Sequence, residues 1–167
     1  TPFVPPKGCV FRTVMGEESS DLNSVYKTPE RVQASIDRGL SWIARAQNEK
    51  GGWGAGSHAR QDIKDPHAVA ADPATTAMVS MALLRSGTTL TKGEDAAQLQ
   101  KSLDYLMTAT ENSQVSSYNI TDQTGTQIQT KLGANIDVIL TAQFFANVLD
   151  YVGHDPSLKA RVQKNLN

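Results

Sequence analysis

Ala34-Ser-Ile-Asp-Arg-Gly-Leu-Ser-Trp-Ile43 is echoed by Ala97-Gln-Leu-Gln-Lys-Ser-Leu-Asp-Tyr-Leu106, and once more by Ala160-Arg-Val-Gln-Lys-Asn-Leu-Asn167. The interval is 63 residues each time, from 34 to 97 to 160. A fixed period of this length marks a stacked-repeat architecture, in which one unit cannot bury its apolar face alone. The repeats read as about 28–90, 91–153 and the start of a third at 154–167.

Each unit resolves into an outer amphipathic helix, a long polar loop and an apolar inner helix. The first outer helix opens at Thr28-Pro29-Glu30, where Thr suits the N-cap, Pro the first helical position and Glu the helix dipole. Its apolar stripe is Val32, Ile36, Leu40 and Ile43, and Gly51-Gly52 closes the segment. The first inner helix opens at Asp72-Pro73 and runs to Gly87. It is apolar nearly all round, as a buried helix should be. The second outer helix is expected to start at a capping box, Thr91-Lys-Gly-Glu94, with Ala96, Leu99, Leu103 and Leu106 as its stripe. The second inner helix covers about Asn135–Tyr151, and Asp155-Pro156 opens a fifth. Asp72-Pro-Ala-Thr-Thr-Ala77 aligns with Asp137-Val-Ile-Leu-Thr-Ala142. In the second loop, Tyr118, Ile120, Ile128 and Thr130 alternate around Asp122-Gln-Thr-Gly125, which suggests a β-hairpin.

The expected fold is therefore all-α: helical-hairpin repeats forming a partial arc of about five helices. Residues 1–27 stand apart. Pro2, Pro5, Pro6 and Gly8 deny them a helix, and they read as an extended arm. Phe3, Val4, Val10, Phe11, Val14 and Met15 would let it lie along a groove; a partly ordered leader is the alternative.

Composition narrows the function classes. Of the 167 residues, 39% are apolar and 20% charged, which fits a soluble globular protein. The net charge of −1 creates no broad field for nucleic acid or an anionic membrane. No apolar run reaches the roughly 18 residues of a membrane-spanning helix. The single Cys9 excludes an internal disulfide and a multi-Cys metal site. The start at Thr1 fits removal of an export signal and equally a trimmed sequence; an exported, periplasmic or extracellular location is the expectation.

Gln47-Asn-Glu-Lys-Gly51-Gly52-Trp53-Gly54, directly after an outer helix, resembles the QW motif of the prenyltransferase and squalene-oxidase repeat. That repeat builds the α/α toroids of triterpene cyclases, prenyltransferase β subunits and thioester domains. The resemblance covers about residues 30–167. It erodes in the second repeat, where Thr110 takes the Gln position and Ser116 the Trp position. The residues themselves point to structural work. Gly51-Gly52 permits backbone conformations closed to other residues. Trp53 can pin the loop against helix ends, and Gln47 can bond free backbone groups at a neighbouring helix terminus.

The resemblance implies three activities, and none carries over. The cyclases protonate substrate with an Asp-x-Asp-Asp motif, which is missing. The prenyltransferases hold zinc through Asp, Cys and His, and no matching cluster exists. Thioester domains need Gly-Cys-Gly-Glu-Gln, and Gly8-Cys9-Val10-Phe11 lacks its acceptor Gln.

The remaining candidate site is the first loop, with His58, Asp62, Asp65 and His67 beside Ser57 and Arg60. Two His and two Asp within ten residues can hold a divalent metal or act as general acid and base. Their spacing matches no known ligand pattern, so solvated polar surface is the plain alternative, and neither a metal nor a cofactor is expected. Arg38, Lys101 and Lys164 recur at equal positions, as solvated helix faces do. Asn119-Ile-Thr121 is a glycosylation sequon, relevant only in a eukaryotic secretory route.

The leading expectation is a non-catalytic interaction module that pairs with another protein chain or with further C-terminal repeats. One alternative is part of a terpene-cyclase-like or lyase-like toroid enzyme with its acid elsewhere. Another is a glycan-binding module using Trp53 and Tyr118. The last helix, with Val162 and Leu166, is expected to face nothing in the chain and so to need covering.

Overall fold

The computed structural model describes residues 29–114 and 116–167. The arm expected over 1–27, with Cys9, and the Thr28 cap lie outside the described residues. Among the described residues the expected all-α class holds. Six α-helices and two short 3-10 turns form, without strands. They are α1 (Glu30–Ala46), α2 (Pro73–Arg85), α3 (Ala96–Asn112), α4 (Gln127–Leu132), α5 (Ile136–Val148) and α6 (Pro156–Leu166). No helix of the described residues is long and apolar enough to cross a membrane.

The chain divides into two compact units, Thr1–Gly39 and Leu40–Asn167. In the first, the described residues are the opening turns of α1. Gln33 bonds Asp37 one turn on, and Arg38 bonds Ser35. Val32 and Ile36, half of the expected apolar stripe, are exposed.

The second unit is built around α2 and α5, which pack most extensively on each other; α3 and α6 lie against them. The sequence reason is plain: these two helices carry apolar or small residues on most sides. Leu83, Phe144, Phe145 and Val148 of the inner pair meet Leu99, Leu103, Leu106 and Met107 of α3 in one core. Leu40 and Ile43, the other half of the α1 stripe, pack against it. A buried hydroxyl pair, Ser80 Oγ donating to Ser102 Oγ at 2.7 Å, pins α2 to α3. The end of α2 is a Schellman motif. Gly87 at φ 90° lets Thr88 N–H reach Leu83 O and Gly87 N–H reach Leu84 O. Burial of the inner helices is incomplete, for Met78 and Ile139 remain exposed.

Three expectations are corrected. The β-hairpin over Tyr118–Thr130 does not form; α4 occupies Gln127–Leu132 instead. Thr126 and Gln129 close a reciprocal capping box, and that local bonding overrides the period-2 pattern. Among the described residues, the extended pairing there is limited to an isolated bridge between Ser57 and Thr126. Thr91–Glu94 is not a capping box either. Gly93 at φ 104° turns the chain against Thr88, and α3 starts at Ala96 after Asp95. Finally, α6 does face the chain. Val162 is fully buried in the core, and Leu158 and Leu166 pack against it.

An ion cluster fastens α6 to α3. Arg161 Nε donates to Glu111 Oε1 at 2.7 Å and its Nη1 to Asp104 Oδ1 at 2.8 Å. The hydrogen bonds from Arg161 and Asn165 hold the Glu111 carboxyl down at about 2. A carboxyl depressed in the fold contributes stability above its unfolded value, and that stability is lost as pH falls toward the folded one. Unfolding midpoints measured in urea should therefore drop between about pH 4.5 and pH 2. Because the pair is more than a third exposed, the change should stay below about 1 kcal/mol, and Glu111→Gln should abolish this component.

Candidate functional site

A helix that starts inside a protein leaves its first amides without intrahelical partners. For α2 the solution comes from both repeats. Asp72 Oδ1 accepts from Thr75 N–H at 2.7 Å, and its Oδ2 accepts from Thr75 Oγ1 at 2.8 Å and Ala55 N–H at 3.3 Å. The Ala74 amide is taken by Asp137 of α5, at 3.0 Å. Asp137 Oδ2 in turn accepts from Gln129 Nε2 at 2.8 Å, and Gln129 also donates to Gln123 O. Asp72 and Asp137 are each at most 1% exposed. Both carboxyls lie at the N-terminal, positive end of the α2 dipole.

The electrostatics follow from this burial. Burial pushes the Asp72 carboxyl above the usual range, and Asp137 adds to that; the Thr75 and Ala55 bonds oppose it. Tyr105 of α3 rises to about 12, through burial and then through the two carboxylates. Its hydroxyl donates to Ala71 O at 3.1 Å, and Gln123 Nε2 donates to the same carbonyl at 2.6 Å.

The Gln47–Trp53 segment presses against this knot. Trp53 is 4% exposed. Its indole Nε1–H donates to Ile43 O at 2.8 Å, one of the carbonyls left over at the end of α1. Its amide donates to Thr76 Oγ1 at 3.0 Å, and its carbonyl accepts from Asp72 N–H at 3.0 Å. Gln47 Nε2 donates to Gly51 O and to Gln98 O of α3, both at 2.8 Å. Gly51 sits at φ 89° with Lys101 O only 2.5 Å from where a Cβ would be; at Gly54 the same distance to Ala70 O is 1.9 Å.

The structure does not gather the first-loop candidates. His58 Nδ1 lies 2.9 Å from Gln127 Oε1, Asp62 pairs with Arg60 at 2.9 Å, and Asp65 accepts from the His67 amide. All four are exposed; His58, Asp62 and Asp65 have separate partners, and His67 contributes only its backbone amide. The hydrogen bond from Arg60 holds the Asp62 carboxyl below its ordinary value. The residues that do converge, Asp72, Asp137, Gln129, Tyr105 and Gln123, were not singled out as a site by spacing. One signal was available: Thr126-x-x-Gln129 is itself a capping-box pattern. Asp137 is also not the counterpart of Asp72. It lies inside α5, whose N-cap is Asn135.

Two clefts flank the knot. One, of about 610 Å³, lies among Asn48, Glu49, Lys50, His67, Tyr105 and Gln123. The other, of about 270 Å³, reaches Asp72 between Ser57 and Thr126.

These contacts carry two expected outcomes. Trp53→Ala should destabilise the fold by about 3–5 kcal/mol, while Trp53→Phe, which keeps most of the ring, should cost much less. Asp137→Ala leaves the Ala74 amide and Gln129 unpaired and should cost about 1–3 kcal/mol. Chemical denaturation monitored by far-UV circular dichroism checks both.

The family described as squalene-hopene cyclase C-terminal domain has a model that matches residues 17–130, well over half of the chain. No curated protein and no solved structure matches. The QW segment, the inner helix that it anchors and this match agree: the chain belongs to the squalene-hopene cyclase C-terminal domain family, a helical-repeat family of the α/α-toroid type.

Proposed function

We propose that this domain is a non-catalytic helical-repeat module that works within a larger protein or complex. One observation carries the reading. Both carboxylates at the α2 N-terminus are occupied as acceptors on both oxygens, by Thr75, Ala55, Ala74 and Gln129. A proton-donating acid must hold a proton and present it to substrate. Burial pushes the Asp72 carboxyl above the usual range. Both oxygens of each carboxyl are nevertheless engaged by neighbouring N–H or O–H groups, so neither carboxyl has an oxygen free to present a proton to substrate. Sequence supports the same reading. Asp72-Pro73-Ala74-Thr75 meets the Asp-x-Asp-Asp pattern of the cyclases at its first carboxylate only.

The rival reading, a segment of a cyclase with its acid elsewhere, draws on the family match. The glycan-binding alternative built on Trp53 and Tyr118 loses its first aromatic, because Trp53 is buried. Exposed Met78, Leu132 and Ile139 offer apolar surface for further protein to cover.

Incubation of the purified chain with squalene, followed by gas chromatography and mass spectrometry, tests the absence of catalysis. No cyclised product is expected. Product whose yield falls in Asp72→Asn would overturn the reading. Light scattering tests the module itself. Association should rise with concentration and weaken in Ile139→Lys; a monomer at every concentration would contradict it.

A further inference from the structure

We propose that the cleft beside Tyr105 is a binding site for a neutral saccharide. This inference is independent of the module reading, since a repeat scaffold can carry such a site or lack it. The cleft belongs entirely to the second unit. The turn after α1 supplies Asn48, Glu49 and Lys50, the segment before α2 supplies His67, and Tyr105 and Gln123 close it. Its volume of about 610 Å³ falls within the range of small-ligand sites.

The chemistry of the wall selects the ligand class. It contains no Leu, Ile, Val or Phe; its apolar parts are Ala70, Ala71 and the Tyr105 ring. An isoprenoid would find little to bury against. Glu49 and Lys50 are adjacent and opposite in charge, so no net field calls for an anion or a cation. The other polar groups, Asn48, Gln123, Tyr105 and His67, each combine donor and acceptor capacity. Hydroxyl groups have the same dual character.

Three of these groups, Tyr105, Gln123 and Asn48, are also held in place. Tyr105 and Gln123 both donate to Ala71 O, at 3.1 and 2.6 Å, which leaves the phenol oxygen and Gln123 Oε1 able to accept. Asn48 Oδ1 accepts from Gly52 N–H at 3.1 Å, which leaves its amide NH2 able to donate. With the phenol pushed up to about 12, Tyr105 stays neutral across physiological pH. Groups fixed beforehand lose little entropy when a ligand arrives. The half-buried Tyr105 ring is part of the wall, and an aromatic ring can carry the C–H side of a pyranose.

Protein-observed NMR titration of the full chain with maltotriose, cellotriose and chitotriose tests the proposal. At least one sugar should bind saturably at millimolar concentration or below and shift the amides of Asn48, Glu49, Tyr105 and Gln123. Glu49→Ala, a truncation at an exposed position of the wall, should weaken it about tenfold, as should Gln123→Ala; about tenfold corresponds to about 1.4 kcal/mol. Tyr118→Ala, at a site 88% exposed and outside the cleft, should leave binding unchanged. Absence of binding by all three sugars would overturn the proposal. So would binding that survives both cleft variants, or cleft shifts produced by free amino acids and not by sugars.

Discussion

The Asp137–Ala74 hydrogen bond, 3.0 Å long and fully buried, is the constraint on which the second unit depends. An inner helix cannot leave its first amides in a dry interior, because each orphan costs roughly 1–3 kcal/mol. Asp72 covers one amide locally. Pro73 has no amide to cover. The Ala74 amide is satisfied only from α5, so the start of one repeat's inner helix is completed by the next repeat. This is the hydrogen-bonding counterpart of the shared apolar core, and both make a lone repeat unstable.

From that bond the two long loops acquire their places. Gln129 must reach Asp137, which positions α4 and its capping box. The capping box brings Thr126 to Ser57 and Gln127 to Gly56, so the second loop lies along the first. On the other side, Trp53 ties the end of α1 to the start of α2 through Ile43 O and Thr76. Gly52 and Gly54 are required because a side chain at either would collide with Ala71 Cβ or Ala70 O, at 2.6 and 1.9 Å. The motif is thus a spacer of minimal width. Its work here is packing and backbone bonding, which leaves function to be sought in the loops and clefts around it.

Much of the architecture was legible in sequence because it rests on short-range rules. Asp72-Pro73 and Asp155-Pro156 open their helices through Asp side-chain caps, as the residue types dictate. The 3.6-residue stripes of α3 placed Leu99, Leu103 and Leu106 in the core. Where two short-range signals competed, the weaker one misled. The alternation around Tyr118–Thr130 gave way to the cap at Thr126, and the Thr91–Glu94 pattern gave way to the turn at Gly93. The site was harder to see. Asp137 and Gln129 act across the repeats, and no local pattern states which distant amide a buried carboxylate will accept from. The His and Asp residues of the first loop attracted attention by composition alone, and among the described residues they share no common centre.

Native-state amide hydrogen exchange at Ala74 and Trp53 tests the central claim most directly. If the α2 N-terminus is the junction that closes both repeats, these two amides should exchange only through global unfolding. Their opening free energies should match the stability from denaturation, and both should fall together in Asp137→Asn. Fast exchange at Ala74 through local opening, with Trp53 and the rest of α2 still protected, would contradict it.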